Sequence, residues 1–125
     1  MLAGHTIRAT IAVSDVGRAR SFYEQTLGMQ PPRELEDGTA MYESGGSSFV
    51  VYPSPSAGTS EATVASWEVE DVDAEVSELR AKGVTFEEYD FPGLKTENGI
   101  ATMGPIRGAW FKDPDGNILG VYQEG

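Results

Sequence analysis

At 125 residues, the chain can form one compact domain, or two half-size modules that share a core, and leaves no room for a separate second domain. The absence of cysteine excludes disulfides and thiolate chemistry, and no apolar run approaches the roughly 18–20 residues of a membrane span, so we expect no membrane partner. A net charge of −11 disfavours a nucleic-acid partner, whereas the same field would either concentrate a cationic small molecule or simply maintain solubility.

The first half of the chain predicts the order β-α-β-β-β. The N-terminus shows no basic segment followed by an apolar one, the pattern of a signal peptide, so we expect a cytoplasmic protein. Apolar residues alternate along residues 6–13, as in a half-buried strand. Ser14 or Asp15 then caps a helix that ends at Gly28. Three short strands follow, at 33–36, 39–43 and 47–52.

The second half repeats this pattern. Residues 53–61 have the composition of a linker, and a strand is predicted at 64–69. Asp71 then caps a helix that Gly83 ends, 56 residues after the first helix cap. We therefore expect one domain over residues 1–125, with module one at 1–56, an overlapping linker at 53–61 and module two at 62–125.

The segment 109–122 is predicted to be a β-hairpin closed by Asp-Pro-Asp-Gly. It aligns without a gap on residues 39–52, 70 positions earlier, so that Gly46 meets Gly116. The growth of the offset from 56 to 70 places about fourteen extra residues in the second half. Glycines and prolines over 91–105 suggest a mobile loop that covers a ligand, or else an ordinary surface excursion.

The motifs of both halves resemble those of the vicinal oxygen chelate superfamily, which includes glyoxalase I, bleomycin-resistance proteins and extradiol dioxygenases. The resemblance implies an α+β fold in which two tandem βαβββ modules form curled mixed sheets around a cup. It also implies a homodimer. The segments that carry it are Val13-Ser14-Asp15-Val16, Phe22-Tyr23, Leu27-Gly28-Met29, Val69-Glu70-Asp71-Val72-Asp73 and Phe111-Lys112-Asp113-Pro114-Asp115-Gly116-Asn117.

The resemblance also identifies where a metal would be held. Enzymes of that superfamily bind a divalent metal through a residue seven positions before each helix-capping aspartate and a glutamate four positions after the turn glycine. Those places hold Arg8, Val64, Gly120 and, by the repeat, Val50, none of which is a metal ligand. The only histidine, His5, lies three residues too early. We therefore predict no cofactor and disfavour a divalent metal.

Strand parity predicts which side chains line the cup instead. If the helices cover the face that carries Ile7, Trp67 and their alternating neighbours, the intervening side chains point inward. Trp110 would then be a pocket wall opposite Gly120, with room for a flat ligand against its indole. The candidate ligand-binding residues, with Met103 from the insert, are Arg8, Ser48, Val50, Tyr52, Val64, Glu68, Met103, Trp110, Gly120 and Tyr122.

Two functions from different classes fit these residues. The first is a metal-free protein of the bleomycin-resistance type that binds a small, planar or cationic molecule in the cup. The second is a lyase, isomerase or dioxygenase, metal-free or with displaced ligands, in which Glu68 is a base and Arg8 or Tyr52 an electrophilic partner. A third possibility is that Arg8 and Glu68 pair and the cup fills itself.

Overall fold

Two curled sheets and two helical segments make up the fold, which a computed structural model describes for all residues 1–125. The first half contains β1 (Ala9–Val13), α1 (Val16–Arg20) continued by a π-helical segment (Ser21–Thr26), β2 (Arg33–Glu34), β3 (Ala40–Ser44) and β4 (Ser47–Pro53). The second half contains β5 (Thr63–Glu68), α2 (Val72–Ala81), β6 (Asp90–Phe91), β7 (Leu94–Glu97), β8 (Ile100–Met103), β9 (Ile106–Lys112) and β10 (Ile118–Gln123). A single 3₁₀ turn, Leu2–Gly4, precedes them.

Each half of the chain builds one sheet. The strand order is β1-β4-β3-β2 in the first sheet and β5-β10-β9-β8-β7-β6 in the second. In both sheets the strand before the helix pairs in parallel with the last strand of its half, and the other pairs are antiparallel. The α+β fold of two β-α-β modules with mixed sheets is therefore confirmed. Neither helical segment has the length or the apolar run that crossing a bilayer requires.

The predicted helix starts are confirmed, and the cap of the first helix is Asp15 rather than Ser14. The carboxylate of Asp15 accepts a hydrogen bond from the backbone N–H of Arg18 at 3.1 Å, and that of Asp71 accepts one from Ala74 at 3.2 Å. After Arg20 the first helix widens into a π-helical segment, with the bond from the N–H of Leu27 to the carbonyl of Phe22 at 3.0 Å.

Two predictions about local structure are wrong. The strand expected at 6–13 begins only at Ala9, and Ile7 is 90% exposed instead of covered by a helix. The parallel register would place Ile7 opposite Ser47, the first residue of β4, yet the two strands pair only from Ala9, opposite Phe49. The segment 91–105 is not a loop, because most of it forms strands that widen the second sheet. A two-residue Asn98-Gly99 turn, with both φ angles positive, joins β7 to β8.

The helices and the covered faces of both sheets share one core. Seventeen buried residues from both halves form a single cluster, including Tyr23, Phe49 and Phe111. The parity predicted for the covered face is confirmed for Ile11, Val13, Phe49, Val51, Leu119 and Val121, which are buried. Trp67 packs against this core with its ring partly exposed. A shared core of this kind makes the two modules one folding unit.

The Asp-Pro-Asp-Gly turn joins the two halves. The carboxylate of Asp113, which is buried, accepts hydrogen bonds from the hydroxyl of Tyr23 at 3.0 Å and from the side-chain amide of Asn117 at 2.8 Å. Asp115 accepts a hydrogen bond from the hydroxyl of Ser14 at 2.6 Å and forms an ion pair with Arg18 at 2.8 Å. The turn that the sequence identifies as a hairpin therefore also anchors the first helix.

Candidate functional site

The concave face of the second sheet carries the predicted cup residues in register. Gly120 stands opposite Trp110 on one side and Ser66 on the other. The next row is formed by Glu68, Tyr122 and Gly108. The strand ladder thus brings predicted residues from β5, β9 and β10 to one surface.

The four metal positions implied by the superfamily do not fit a metal ion. Val50, Val64 and Gly120 offer no side-chain lone pair, and Arg8 is a cation whose Nε donates to the hydroxyl of Ser48 at 2.5 Å. Nowhere do three His, Cys, Asp or Glu side chains come close enough together to hold a metal ion. The donor set at this place therefore suits an organic ligand better than a metal ion.

The space beside Gly120 is already filled. A Cβ atom at this position would lie 3.4 Å from Cδ1 and Nε1 of Trp110 and 3.0 Å from the hydroxyl of Ser66. The expected room for a flat ligand between Gly120 and the indole is therefore absent, because the indole itself occupies it. Any ligand that contacts Trp110 must approach another part of the ring.

Trp110 also lines a cavity of about 430 Å³, which we call the aromatic pocket. Three aromatic rings define it: the centroids of Tyr89 and Trp110 are 5.6 Å apart at an interplanar angle of 65°, and those of Tyr89 and Phe91 are 5.7 Å apart. Phe91 is 53% exposed, which is unusual for a phenylalanine without a partner. Leu94 and Ile118 complete the apolar wall.

Charged groups surround the aromatic pocket. Glu61 and Glu87 belong to its lining, as does Lys112, whose ammonium lies 3.5 Å from Oε1 of Glu87. This ion pair offsets the negative charge of Glu87, whereas the negative charge of Glu61 has no ion-pair partner. Burial, followed by the charge of Glu87, raises the pKa of Tyr89, so its phenol stays protonated and neutral at physiological pH.

A second cavity, of about 470 Å³, lies at the seam between the two sheets, and we call it the seam groove. It is lined by three of the predicted residues, Ser48, Glu68 and Tyr122. It is richer in hydroxyl groups than the aromatic pocket and also contains Ser44, Ser47 and Ser66. Predicted ligand-binding residues are therefore divided between two cavities rather than gathered in one cup.

The remaining predicted residues have mixed positions. Met103 and Trp110 both border Gly108, since a Cβ atom at Gly108 would be 3.8 Å from Cε of Met103 and 3.6 Å from Cη2 of the indole. Val50, Tyr52 and Val64 are half-buried on their strands but line neither cavity.

The three candidate catalytic residues do not meet in either cavity. Glu68 lines the seam groove, whereas Arg8 and Tyr52 line neither cavity. Arg8 bonds to Ser48 and forms no ion pair with Glu68, so the alternative in which these two charges close the cup is wrong.

Sequence reasoning missed the residues that shape the aromatic pocket. Tyr89 directly precedes β6, Phe91 ends β6, and Glu61 lies in the linker. The alternation of Tyr89 and Phe91 was a usable signal, because residues two positions apart share one face of a strand.

The chain belongs to the Glyoxalase/Bleomycin resistance protein/Dioxygenase superfamily, whose family model matches residues 4–121. This match spans both halves and confirms the resemblance seen in the helix caps and the turn. No curated protein matches the chain.

Solved structures of several relatives share the fold. TnmS3, an antibiotic binding protein from Streptomyces sp. CB03234, is 25% identical, with a TM-score of 0.71 over 100% of this chain and 99% of that one. A glyoxalase / bleomycin resistance protein from Catenulispora acidiphila DSM 44928 is also 25% identical, with a TM-score of 0.66 over 96% and 98%. The fosfomycin resistance protein FosX from Listeria monocytogenes, at 13% identity and a TM-score of 0.71 over 97% and 93%, shows the fold alone.

Proposed function

We propose that this protein binds a planar, cationic small molecule in the aromatic pocket without the help of a metal ion. The observation that carries the proposal is the arrangement of Tyr89, Phe91 and Trp110 around one cavity whose lining includes Glu61 and Glu87. Aromatic faces attract cations and flat rings, and the carboxylates favour positive charge. The alternative is an enzyme that is metal-free or has displaced metal ligands. It has less support, because Glu68, Arg8 and Tyr52 do not line one cavity.

The size and charge of the pocket support this ligand class. Its volume of about 430 Å³ lies within the range of roughly 300–1,000 Å³ that is usual for small-molecule sites. The net charge of −11 raises the concentration of cations near the surface. Of the two ends of a flat cation, the ring would stack on Trp110 and the charge would point toward Glu61.

The superfamily supports a binding function but does not specify the ligand. TnmS3, at 25% identity, is an antibiotic binding protein, so capture of a small organic molecule is known on this fold. We propose that this chain shares that mode of action in the cytoplasm. The fold itself permits many chemistries, so the argument depends on the pocket and not on the family.

We also propose a homodimer of two-module chains. The sheets support the division into module one at 1–56 and module two at 62–125, because no strand pairing crosses residues 53–61. Exposed apolar residues that a partner could cover include Leu2 and Ile7. Sedimentation analysis would give twice the mass of the 13.4 kDa chain if this is right, and the mass of one chain if it is wrong.

Calorimetric titration in the presence of EDTA tests the binding proposal. The panel contains the planar cation proflavine, a neutral planar compound of similar size and a cationic glycopeptide. We expect proflavine to bind most tightly of the three. Phe91→Ala removes one wall of the pocket and should weaken binding about 5- to 30-fold, the range expected for roughly 1–2 kcal/mol.

Ile106→Ala is the matched control, because Ile106 is an exposed apolar residue of the same sheet that does not line the aromatic pocket. Its affinity should equal that of the wild type. Absence of heat across the whole panel, or equal losses in Phe91→Ala and Ile106→Ala, would show that the aromatic pocket is not the binding site.

A further inference from the structure

A third cavity lies on the opposite, helix-covered side of the sheets. It has a volume of about 200 Å³ and opens where the end of the first helical segment, α2 and β5 meet. Seven of its nine lining residues are hydrophobic, among them Leu27, Leu79, Phe111 and Val121. We call it the helix-side cavity; it shares no residue with the aromatic pocket but meets the seam groove at Trp67 and Glu68.

The walls of the helix-side cavity belong to the core. Leu79, Phe111 and Val121 are members of the buried cluster, and Leu27 packs against it. The cavity opens to solvent, so it is an accessible pocket bordered by core side chains and not a sealed packing void. Its volume suits one aromatic ring with a short chain, since an apolar cavity of about 150 Å³ takes up benzene.

Two carboxylates give this cavity a polar side. Glu75 and Leu79 are neighbours on α2 at positions i and i+4, and both line the cavity, as does Glu68 at the end of β5. Neither glutamate takes part in an ion pair of the structure. The carboxylate of Glu75 is therefore available to a cationic group that reaches the mouth of the cavity, whereas Glu68 follows Trp67 on β5 and shares the row of Tyr122 and Gly108 on the concave face.

We infer that the helix-side cavity is a second ligand site, which takes a compact arylalkylamine with its ring among Leu27, Phe111 and Val121 and its ammonium at Glu75. The apolar walls select the ring, and the unpaired carboxylate of Glu75 selects the charge. This site is independent of the aromatic pocket, and either proposal can fail without the other.

Trp67 provides the readout, because it lines the helix-side cavity and the chain has only two tryptophans. It also borders the seam groove, so the Glu75 variant described below assigns a signal to the helix-side cavity, since Glu75 does not line the seam groove. In Trp110→Phe, Trp67 is the sole indole, and its emission is followed during titration with 2-phenylethylamine, 2-phenylethanol or 3-phenylpropanoate. The expected result is a saturable change with the amine at least 10-fold tighter than the alcohol, and no saturation with the acid.

Glu75→Gln in the Trp110→Phe background should reduce the preference for the amine over the alcohol to below 3-fold. Glu78→Gln is the control, because Glu78 is exposed on the same helix and does not line the cavity. Each variant removes one surface charge and no core side chain, so both should fold and show a cooperative thermal unfolding transition. An unchanged Trp67 emission with all three compounds, equal affinities for them, or equal effects of the two substitutions would overturn the inference.

Discussion

Removal of one hydroxyl at the joint between the two halves should measurably weaken the fold. The side chain of Tyr23 is 0% exposed, and its hydroxyl donates to Oδ2 of Asp113 at 3.0 Å. A hydrogen bond to a charged acceptor contributes about 1.5–3 kcal/mol. Because Oδ2 keeps its bond from Asn117 at 2.8 Å, we expect the lower part of that range. Tyr23→Phe should therefore cost about 1.5–2 kcal/mol.

Urea denaturation followed by circular dichroism provides the measurement. Tyr23→Phe should lower the midpoint without changing the slope of the transition, and the apparent melting temperature should fall by about 5–8 °C. Tyr52→Phe is the control, because Tyr52 is half-buried and its hydroxyl forms no bond in the structure; its effect should stay within about 0.5 kcal/mol. Equal effects of the two substitutions would refute the role assigned to the turn.

Two further predictions concern stability. A hydrogen bond with Arg20 lowers the pKa of Glu24 below its ordinary value of 4.5, so the stabilisation is complete above about pH 4.5 and disappears as the pH falls through the folded pKa. As the pH falls through the acid range, the melting temperature should thus decrease more steeply for the wild type than for Glu24→Gln. Parallel plots of melting temperature against pH for the two proteins would exclude the effect. A Cβ atom at Gly58, where φ is +70°, would lie 1.8 Å from the carbonyl oxygen of Asp115. Gly58→Ala should cost at least about 3 kcal/mol in urea denaturation, against about 1 kcal/mol for Gly38→Ala, which has a positive φ but open space; equal costs would contradict this.

The features of the fold that the sequence predicts are those with local causes. Asp15 and Asp71 each precede an apolar helical stripe, and their carboxylates bond to the backbone three residues later. The duplication is visible because the helix-cap aspartates recur after 56 positions and the turn and strand residues after 70. The start of β1 is predicted too early because the apolar alternation continues through residues 6–8, whereas pairing with β4, a long-range property, begins only at Ala9.

The insert shows the limit of this reasoning. Its glycines suggested a loop, yet Asn98-Gly99 closes a tight hairpin and the adjoining residues extend the sheet. Strand pairing is a long-range property, so turn residues alone do not distinguish a loop from a hairpin.

The candidate site was predictable only in part for the same reason. Strand parity placed Trp110 on the concave face opposite Gly120, as the register shows. The neighbours of Trp110 in the aromatic pocket, Tyr89 and Phe91, come from a different part of the chain. Their approach depends on how the added strands curl, which no periodicity in the sequence encodes.

The proposal that matters most is that the aromatic pocket binds an organic cation without a metal. The most direct test is calorimetric titration of EDTA-treated protein with proflavine, repeated after addition of Zn²⁺, Mn²⁺ or Ni²⁺ and with Trp110→Ala. We expect proflavine to bind with the same heat and affinity with and without metal, and its affinity to fall at least about 10-fold in Trp110→Ala. Binding that requires a stoichiometric metal ion, or that persists unchanged without Trp110, would contradict it.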